Sequence, residues 1–259
     1  VGEQKSDTFL AYVDDERGIW VPRDYARRLG LMPDPSEVAF GYEIPDEVMQ
    51  PIELRDEQKP FVDALEKHCR EGRGYSECVD LRAEAATGKG KTVMSLELCK
   101  RLQTTTLIIV DQEFLRDQWI ETLTVNKHGF GFHVAREEIG IVQAQQQNWE
   151  DKSFVIGMIQ SLYDRDMPEE FWNYFGVCIF DESHTVGAKQ FSRILQKIPA
   201  AIRIGVSATS ERQDELETVL EAALGAVQVV LAAQHAQSQV RYVTYTGNCY
   251  SWYANTSGK

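Results

Sequence analysis

The sequence lacks the features that mark membrane, secreted and zinc-binding proteins. No apolar run approaches the roughly 20 residues that a membrane-crossing helix needs, and no charged and then apolar signal segment opens the chain. The five cysteines are odd in number and form no C-x-x-C pair, so the sequence indicates neither a disulfide framework nor a structural zinc site. We therefore expect reduced, structural cysteines in a cytoplasmic protein that has no membrane partner.

Positive charge is also scarce. The chain has 27 lysines and arginines against 40 aspartates and glutamates, which gives a formal net charge of −13. This balance argues against a protein that coats nucleic acid by bulk electrostatic attraction. It still allows local binding, because backbone amides and helix N-termini can hold a phosphodiester without added lysines or arginines.

The chain divides into three regions. Residues 1–52 are rich in acidic residues and proline, and we expect a small N-terminal extension, with short β-like pieces, that packs as an arm against the main domain. Residues 53–226 form the predicted main domain, and residues 227–259 lead on from it. Because the first residue is Val1, we expect the chain to be part of a longer polypeptide.

The main domain alternates strand-like and helix-like segments. Residues 106–110 form an apolar run without alternation, which is typical of a parallel strand buried on both faces. The other strands are predicted at 78–83, 139–142, 154–158, 177–180 and 203–209, with further strand-like runs at 227–231 and 240–245. Helices are predicted at 92–102, 113–124 and 211–223, and after residue 54, where Phe61, Val62, Leu65 and His68 share one face. This order predicts an α/β fold with a doubly wound, mainly parallel sheet.

The segment from Ala85 to Thr92 follows a strand, opens a helix and reads as a phosphate-binding loop. Glycines let backbone N–H groups turn inward around phosphate oxygens, and Gly88 replaces the glycine that usually stands where this chain has Ala85. Lys91 can reach the β- and γ-phosphates of ATP, and Thr92 can hold Mg²⁺. The predicted nucleotide contacts are Ala86, Thr87, Gly88, Lys89, Gly90, Lys91 and Thr92. The alternative is a chance Gly-Lys-Thr at a helix start.

Two acidic residues follow the strand at 177–180. Asp181 and Glu182 stand at its carboxyl end, where such sheets bind ligands. We assign Asp181 to Mg²⁺, and Glu182 to the orientation and deprotonation of the water that attacks the γ-phosphate. The alternative is an acidic strand end that caps the next helix. Ser207 and Thr209 end a later strand, where they could relay the presence of the γ-phosphate or simply form a turn.

Gln58 precedes the phosphate loop. Its side-chain amide could accept a hydrogen bond from adenine N6 and donate one to N7, a match that would select adenine. Taken alone, a glutamine at this position is more often a solvated helix residue.

Taken in order, these motifs resemble the first RecA-like domain of superfamily 2 helicases. The resemblance covers about residues 53–226 and is strongest to XPB-like and phage-encoded DNA helicases. It rests on the L-R-x-x-Q start at 54–58, the loop at 85–92, the segment 110–119 with its L-x-x-Q-W signature, G-M-I-Q-S-L at 157–162, D-E-S-H at 181–184 and S-A-T at 207–209.

The resemblance implies an ATP-driven DNA helicase or translocase of replication, recombination or repair, in a bacterial or phage-infected cell. Lys91, Asp181 and Glu182 would serve hydrolysis, and Arg55 would join Gln58 at the nucleotide. His184, Ser207 and Thr209 would couple the nucleotide to movement, and the implied nucleic-acid contacts are Gln112, Arg116, Gln160 and Ser161.

Several alternatives stay open. Phe114, Leu115 and Trp119 are apolar residues at helical spacing, and we expect them to pack in the core.

No Q-x-x-G-R-x-x-R motif follows residue 226, so we expect the arginine fingers on a second RecA-like domain. Without that domain, the chain would hydrolyse ATP slowly or not at all. The alternatives to a DNA motor are a nucleotide-binding structural module and an RNA helicase.

Overall fold

The computed structural model describes most of the main domain and part of its flanks. The described residues are 13–15, 18–20, 22–30, 35–71, 78–126, 128–181, 188–208 and 221–232. The predicted strand at 240–245 and most of the predicted helix at 211–223 lie outside them. Within these ranges, no helix has both the length and the apolar character needed to cross a membrane.

Strands and helices alternate through the described part of the chain. The strands are β1 Val13–Asp15, β2 Gly18–Trp20, β3 Val79–Ala85, β4 Thr106–Val110, β5 Ile139–Gln143, β6 Gln146–Asn148, β7 Phe154–Met158, β8 Val177–Asp181, β9 Ile202–Ser207 and β10 Val227–Leu231. The helices are α1 Arg23–Arg28, α2 Lys59–Glu71, α3 Lys91–Leu102, α4 Glu113–Leu123, α5 Ile159–Asp164, α6 Glu169–Asn173 and α7 Ala188–Lys197.

Strands β3 to β10 form one sheet in the order β10-β3-β9-β8-β4-β7-β5-β6. Neighbouring strands are parallel, except that β5 and β6 form an antiparallel hairpin. The short strands β1 and β2 pair with each other, apart from this sheet. The mainly parallel, doubly wound α/β fold predicted from the sequence is therefore confirmed.

Alternate residues of the central strands face opposite helical layers. Ile108 and Val110 of β4 belong to a hydrophobic cluster shared with α2, α3 and α4. Leu107 and Ile109 belong to a second cluster shared with α5, α6 and α7. Because both faces are covered, β4, β7 and β8 are buried along their whole length, which explains their uninterrupted apolar sequences.

The sequence predicted one wrong residue, His68, on the buried face of α2. The buried row of α2 includes Phe61, Leu65 and Cys69, whereas His68 is exposed and its Nδ1 lies 2.8 Å from the Ala64 carbonyl oxygen. Residues four apart stack along one side of a helix, and a neighbouring residue is turned away from them by about 100°. Cys69 therefore takes the core position assigned to His68.

The described end of the leading region, residues 35–52, contacts the main domain. Ala39 forms an isolated bridge with Ala200, and Glu43 forms another with Thr104. Ile44 belongs to the core cluster that α2, α3 and α4 share. At the other end, residues 227–231 join the sheet beside β3. The boundaries of the three regions stay predictions.

The described cysteines behave as apolar residues. Cys69, Cys78, Cys99 and Cys178 are buried, and no disulfide joins them. Burial raises the pKa of the Cys99 thiol to about 12 and raises that of Cys178 as well. Both thiols therefore stay protonated at neutral pH and have little reactivity. Cys249 lies outside the described residues.

A buried ion pair holds the amino-terminal ends of the strands together. Arg203 Nε of β9 donates to Asp80 Oδ1 of β3 at 2.7 Å, and Arg23 Nη1 of α1 lies 3.4 Å from the same oxygen. The remaining guanidinium nitrogens of Arg203 donate to the carbonyl oxygens of Leu195 and Ala223 at 3.1 and 3.0 Å. This network connects five segments that are distant in sequence.

We expect Asp80→Ala to lower the free energy of unfolding by about 3–5 kcal/mol, because it leaves the Arg203 charge buried without its carboxylate. Urea denaturation measures the change. Glu71→Ala is the matched control, since the pair of Glu71 with Lys67 is exposed at 3.8 Å and should be worth less than about 1 kcal/mol. Equal losses in the two variants would contradict the prediction.

Candidate nucleotide-binding site

The loop from Ala85 to Thr92 connects β3 to α3 by a turn with two left-handed glycines. Gly88 and Gly90 have φ angles of +80° and +86°, which cost other residues about 1–2 kcal/mol. Ala85 ends β3, is fully buried and is not among the residues with positive φ, so this position has no need of a glycine. Ala86 N donates to the carbonyl oxygen of Leu231 at 3.1 Å, which ties the loop to β10.

The start of α3 is open to an anion. Its N-cap residue, Gly90, has no side chain to bond the first N–H groups, which also lack partners within the helix. These groups and the positive end of the helix dipole favour a phosphate at this position. Burial lowers the pKa of Lys91, and the nearby Asp181 charge opposes that shift. The Asp181 carboxylate therefore favours the charged form of Lys91.

The segment before α2 holds the loop from the side. Gln58 Nε2 donates to the carbonyl oxygen of Lys89 at 2.7 Å, and Gln58 Oε1 accepts from Arg55 N at 3.0 Å. Lys89 Nζ forms an ion pair with Glu57 Oε2 at 2.7 Å, and Arg55 Nη2 lies 3.5 Å from the carbonyl oxygen of Gly88. The structure thus places Gln58 and Arg55 beside the predicted phosphate loop.

Gln58 is not the solvated helix residue of the alternative interpretation. It is only 2% exposed and lies just before α2 begins at Lys59. A Cβ atom on Gly90 would lie 2.6 Å from Gln58 Nε2. Glycine at this position therefore permits both the left-handed turn and the close approach of the amide.

Asp181 ends β8 in a buried environment and accepts a hydrogen bond from a tryptophan. Trp119 Nε1 of α4 donates to Asp181 Oδ2 at 2.7 Å. The preceding residue of the same helix, Gln118, donates through Nε2 to Thr92 Oγ1 at 3.0 Å. Helix α4 thus contacts the phosphate-loop threonine and the strand-end aspartate through consecutive residues.

The sequence reasoning missed these two contacts. It treated Trp119 as a core residue, and Gln118 only as a letter of the L-x-x-Q-W signature. Trp119 is 1% exposed and does pack in the core, as does Leu115. Phe114, expected to pack there too, is 66% exposed, so that prediction was wrong. The buried residues of α4 are Leu115, Trp119 and Leu123, spaced by four, and Phe114 is turned away from them.

Other sequence-predicted residues lie along the same edge of the sheet. Gln112 precedes α4 and is exposed, and Gln160 Nε2 donates to the carbonyl oxygen of Asp111 at 3.1 Å. Ser161 Oγ accepts from Ala144 N at 3.1 Å. All follow the carboxyl ends of β4, β5 or β7, so the structure brings them to one side of the molecule.

Arg116 has protein partners already. Its Nε and Nη2 donate to Asp117 Oδ1 at 2.8 and 2.7 Å, and its Nη1 donates to Gln143 Oε1. Ser207 is described at the end of β9, whereas Glu182, His184 and Thr209 lie outside the described residues. The roles assigned to all of these residues stay predictions.

The available ligands suit magnesium better than zinc. The described residues contain no group of three or more His, Cys, Asp and Glu side chains that could hold a metal ion. Thr92 offers a hydroxyl oxygen and Asp181 a carboxylate oxygen, and each accepts a hydrogen bond from α4. Mg²⁺ prefers oxygen ligands, and it commonly takes one or two from the protein and the others from water and phosphate. The residues present therefore fit a magnesium–nucleotide site.

Residues 51–212 match the family model described as "Type III restriction enzyme, res subunit". The match covers most of the main domain, including the phosphate loop and the Asp181 strand. The chain belongs to this family. Its described fold and its relatives identify it as a first RecA-like domain of the superfamily 2 helicase type.

Relatives of this family member come from viruses and from an archaeon. L396 of Acanthamoeba polyphaga mimivirus, named as an ATP-dependent RNA helicase, is 30% identical over 225 residues, which are 86% of this chain and 40% of the relative. XPB2 of Sulfurisphaera tokodaii, named as a DNA 3'-5' translocase, is 31% identical over 163 residues, which are 63% of this chain and 32% of the relative. The chain thus spans about a third to two fifths of these relatives.

Solved structures share the fold at low sequence identity. The UvsW helicase of bacteriophage T4 superposes with a TM-score of 0.53 at 16% identity, over 84% of this chain and 80% of that one. The Hef helicase domain of Pyrococcus furiosus gives a TM-score of 0.52 at 15% identity, over 71% of this chain and 40% of that one. These matches support the RecA-like fold.

We expect Gly90→Ala to destabilise the protein more than Gly88→Ala does. Both alanines take up backbone strain at positive φ, but only the Cβ at position 90 meets Gln58 Nε2, whereas position 88 has open space around it. Urea denaturation of both variants gives the comparison. Equal losses of stability would show that the contact between Gln58 and the loop adjusts without cost.

Proposed function

We propose that the chain is the ATP-binding first domain of a superfamily 2 motor that couples ATP hydrolysis to movement on DNA, or to its remodelling, in replication, recombination or repair. The observation that supports this most directly is that consecutive residues of α4 donate to Thr92 and to Asp181, with Lys91 adjacent to Thr92 in the loop. Membership of the family supports it as well. A cytoplasmic location, in a bacterial or phage-infected cell, belongs to the same proposal.

The chemistry follows from the charges at this edge. The loop amides and the Lys91 ammonium would hold the β- and γ-phosphates of ATP. Thr92 and Asp181 would hold Mg²⁺, which when bound neutralises phosphate charge during transfer. Glu182, which follows Asp181 directly, would orient and deprotonate the attacking water.

Adenine would lie against the segment before α2. A glutamine amide has two N–H hydrogens and two lone pairs on its oxygen. Gln58 uses one of each on Lys89 and Arg55, so its amide can bind the base and keep its contact with the loop. The Arg55 side chain, which reaches toward Gly88, would contact the same ligand.

The nucleic acid would cross the polar edge that carries Gln112, Arg116, Gln160 and Ser161. Arg116 would reach a phosphate only by exchanging its bonds to Asp117 and Gln143. His184, Ser207 and Thr209 would pass the state of the nucleotide to this surface. Backbone contacts of this kind carry little sequence information, so specificity would come from elsewhere in the protein.

DNA is the substrate that the resemblance to XPB-like and phage-encoded helicases favours. The relative XPB2 is named as a DNA translocase, which agrees with this choice. The second candidate is an RNA helicase, favoured by the names of the viral relatives from mimivirus and African swine fever virus. A nucleotide-binding structural module without motor activity is the third.

A second RecA-like domain would complete the motor. The chain spans 40% of the length of the mimivirus relative and 31% of that of the African swine fever virus relative, so these proteins have room for one. Arginine fingers from such a domain would stabilise the charge that develops on the γ-phosphate.

Lys91→Ala should weaken binding of a fluorescent ADP by about tenfold to hundredfold, because a charge-assisted contact to phosphate is lost. Lys100→Ala is the matched control, since Lys100 lies near the other end of α3. Fluorescence anisotropy measures both. Unchanged ADP affinity in Lys91→Ala would contradict the assignment of the phosphate loop.

The ATPase rate of the full-length protein should rise with single-stranded or forked DNA and vanish in Glu182→Gln. If the arginine fingers lie on a second domain, as proposed, residues 1–259 alone should turn over about three to five decades more slowly than a protein that contains both domains. Stimulation by RNA in place of DNA would support the RNA helicase. ADP binding without turnover under any of these conditions would support the structural module.

A further inference from the structure

We propose that Gln118 and Trp119 are positioning residues of the magnesium site: they hold the two side chains, Thr92 and Asp181, that would bind the ion. This inference rests on the proposed ATP-dependent function. It assigns a role to Trp119, which the sequence reasoning treated as a core residue, and to Gln118, to which it gave no role.

Two directional hydrogen bonds carry the inference. Trp119 Nε1 donates to Asp181 Oδ2 at 2.7 Å, and Gln118 Nε2 donates to Thr92 Oγ1 at 3.0 Å. The acceptors lie 89 residues apart in sequence, at the start of α3 and at the end of β8. Consecutive helix residues point about 100° apart, so one helix can reach both.

The tryptophan is held rigidly. Trp119 is 1% exposed and belongs to the cluster that packs α2, α3 and α4 on the sheet. An indole N–H is a donor only, so a buried tryptophan needs an acceptor, which could have been any backbone carbonyl. Here the acceptor is the carboxylate predicted to serve Mg²⁺, and the immobile ring fixes the orientation of that carboxylate.

The bonds leave the acceptors able to bind a cation. A carboxylate has about four lone-pair sites, and a hydroxyl oxygen has two. Trp119 occupies one site on Asp181, and Gln118 occupies one on Thr92. Each bond therefore restricts the orientation in which its acceptor can meet the ion, in the way that outer partners orient metal ligands elsewhere.

The test separates binding of the metal from binding of the nucleotide. The variants are Trp119→Phe, which keeps an aromatic ring but removes the N–H, and Gln118→Met, which removes the amide at an exposed position where folding is not at risk. The control is Trp172→Phe, because Trp172 is buried in the cluster on the opposite face of the sheet. Thermal denaturation verifies that each variant is folded.

Affinity of Mn²⁺ for the protein–ADP complex is measured by electron paramagnetic resonance of the free ion, and affinity for ADP is measured separately in EDTA. Trp119→Phe should weaken Mn²⁺ binding about tenfold to hundredfold, and Gln118→Met about fivefold, as for a neutral hydrogen bond. Both variants should bind ADP in EDTA as the parent protein does, and Trp172→Phe should match the parent in both measurements.

A spectroscopic readout gives a second check. Mg²⁺ added to the ADP complex should change the indole emission of the parent protein, because the ion binds the carboxylate that accepts from Trp119. Trp119→Phe should abolish this change, and Trp172→Phe should retain it. Loss of the change in Trp172→Phe instead would place the signal at another tryptophan and overturn the assignment.

Two results would overturn the inference and leave the proposed function standing. The first is a Mn²⁺ affinity equal to that of the parent protein in both Trp119→Phe and Gln118→Met. The second is an equal loss of affinity for Mn²⁺ and for ADP in EDTA, which indicates a structural role only. If the parent protein itself binds neither ADP nor Mn²⁺, the proposed function fails and this inference fails with it.

Discussion

The carboxyl-terminal ends of the buried parallel strands meet at one edge of the sheet, and the candidate site depends on that constraint. Helices cover both faces of β4, β7 and β8, so the strand ends are the places where polar side chains can cluster and find polar partners. The loop after β3, the aspartate that ends β8 and the start of α4 all lie at this edge. An edge of this kind can bind a charged ligand while the core beneath it stays apolar.

In this acidic chain, two cations beside the candidate site form ion pairs with a neighbouring carboxylate. Glu57 Oε2 lies 2.7 Å from Nζ of the loop residue Lys89, and Glu57 Oε1 lies 3.7 Å from Arg55 Nη1. One carboxylate is therefore shared by two cations beside the candidate nucleotide site. The formal net charge of −13 would repel a polyanion at long range. Under the proposed function, phosphate binding would rely on backbone amides, the dipole of α3 and Lys91, and salt screening does not remove such short-range contacts.

Much of the fold could be predicted from local patterns. The strands Thr106–Val110, Phe154–Met158 and Val227–Leu231 begin and end where the sequence predicted. Uninterrupted apolar runs identify buried parallel strands because both faces of each strand meet helices. The turn between β3 and α3 was equally accessible, since the phosphate-loop motif places glycines and a lysine at fixed spacing before a helix.

What failed were inferences about the direction of single side chains. The exposure of His68 and Phe114 depends on a rotation of one residue around each helix. The bonds of Arg116 to Asp117 and Gln143 were not predicted, because one partner comes from another segment, and the role of Arg116 stays a prediction. The sequence by itself determined the order of elements and the chemistry of the loop, because periodicity and local spacing encode both. Only the tertiary structure decided that Trp119 donates a hydrogen bond to Asp181. The two residues lie 62 positions apart in the sequence, and no local pattern specifies a contact over that separation.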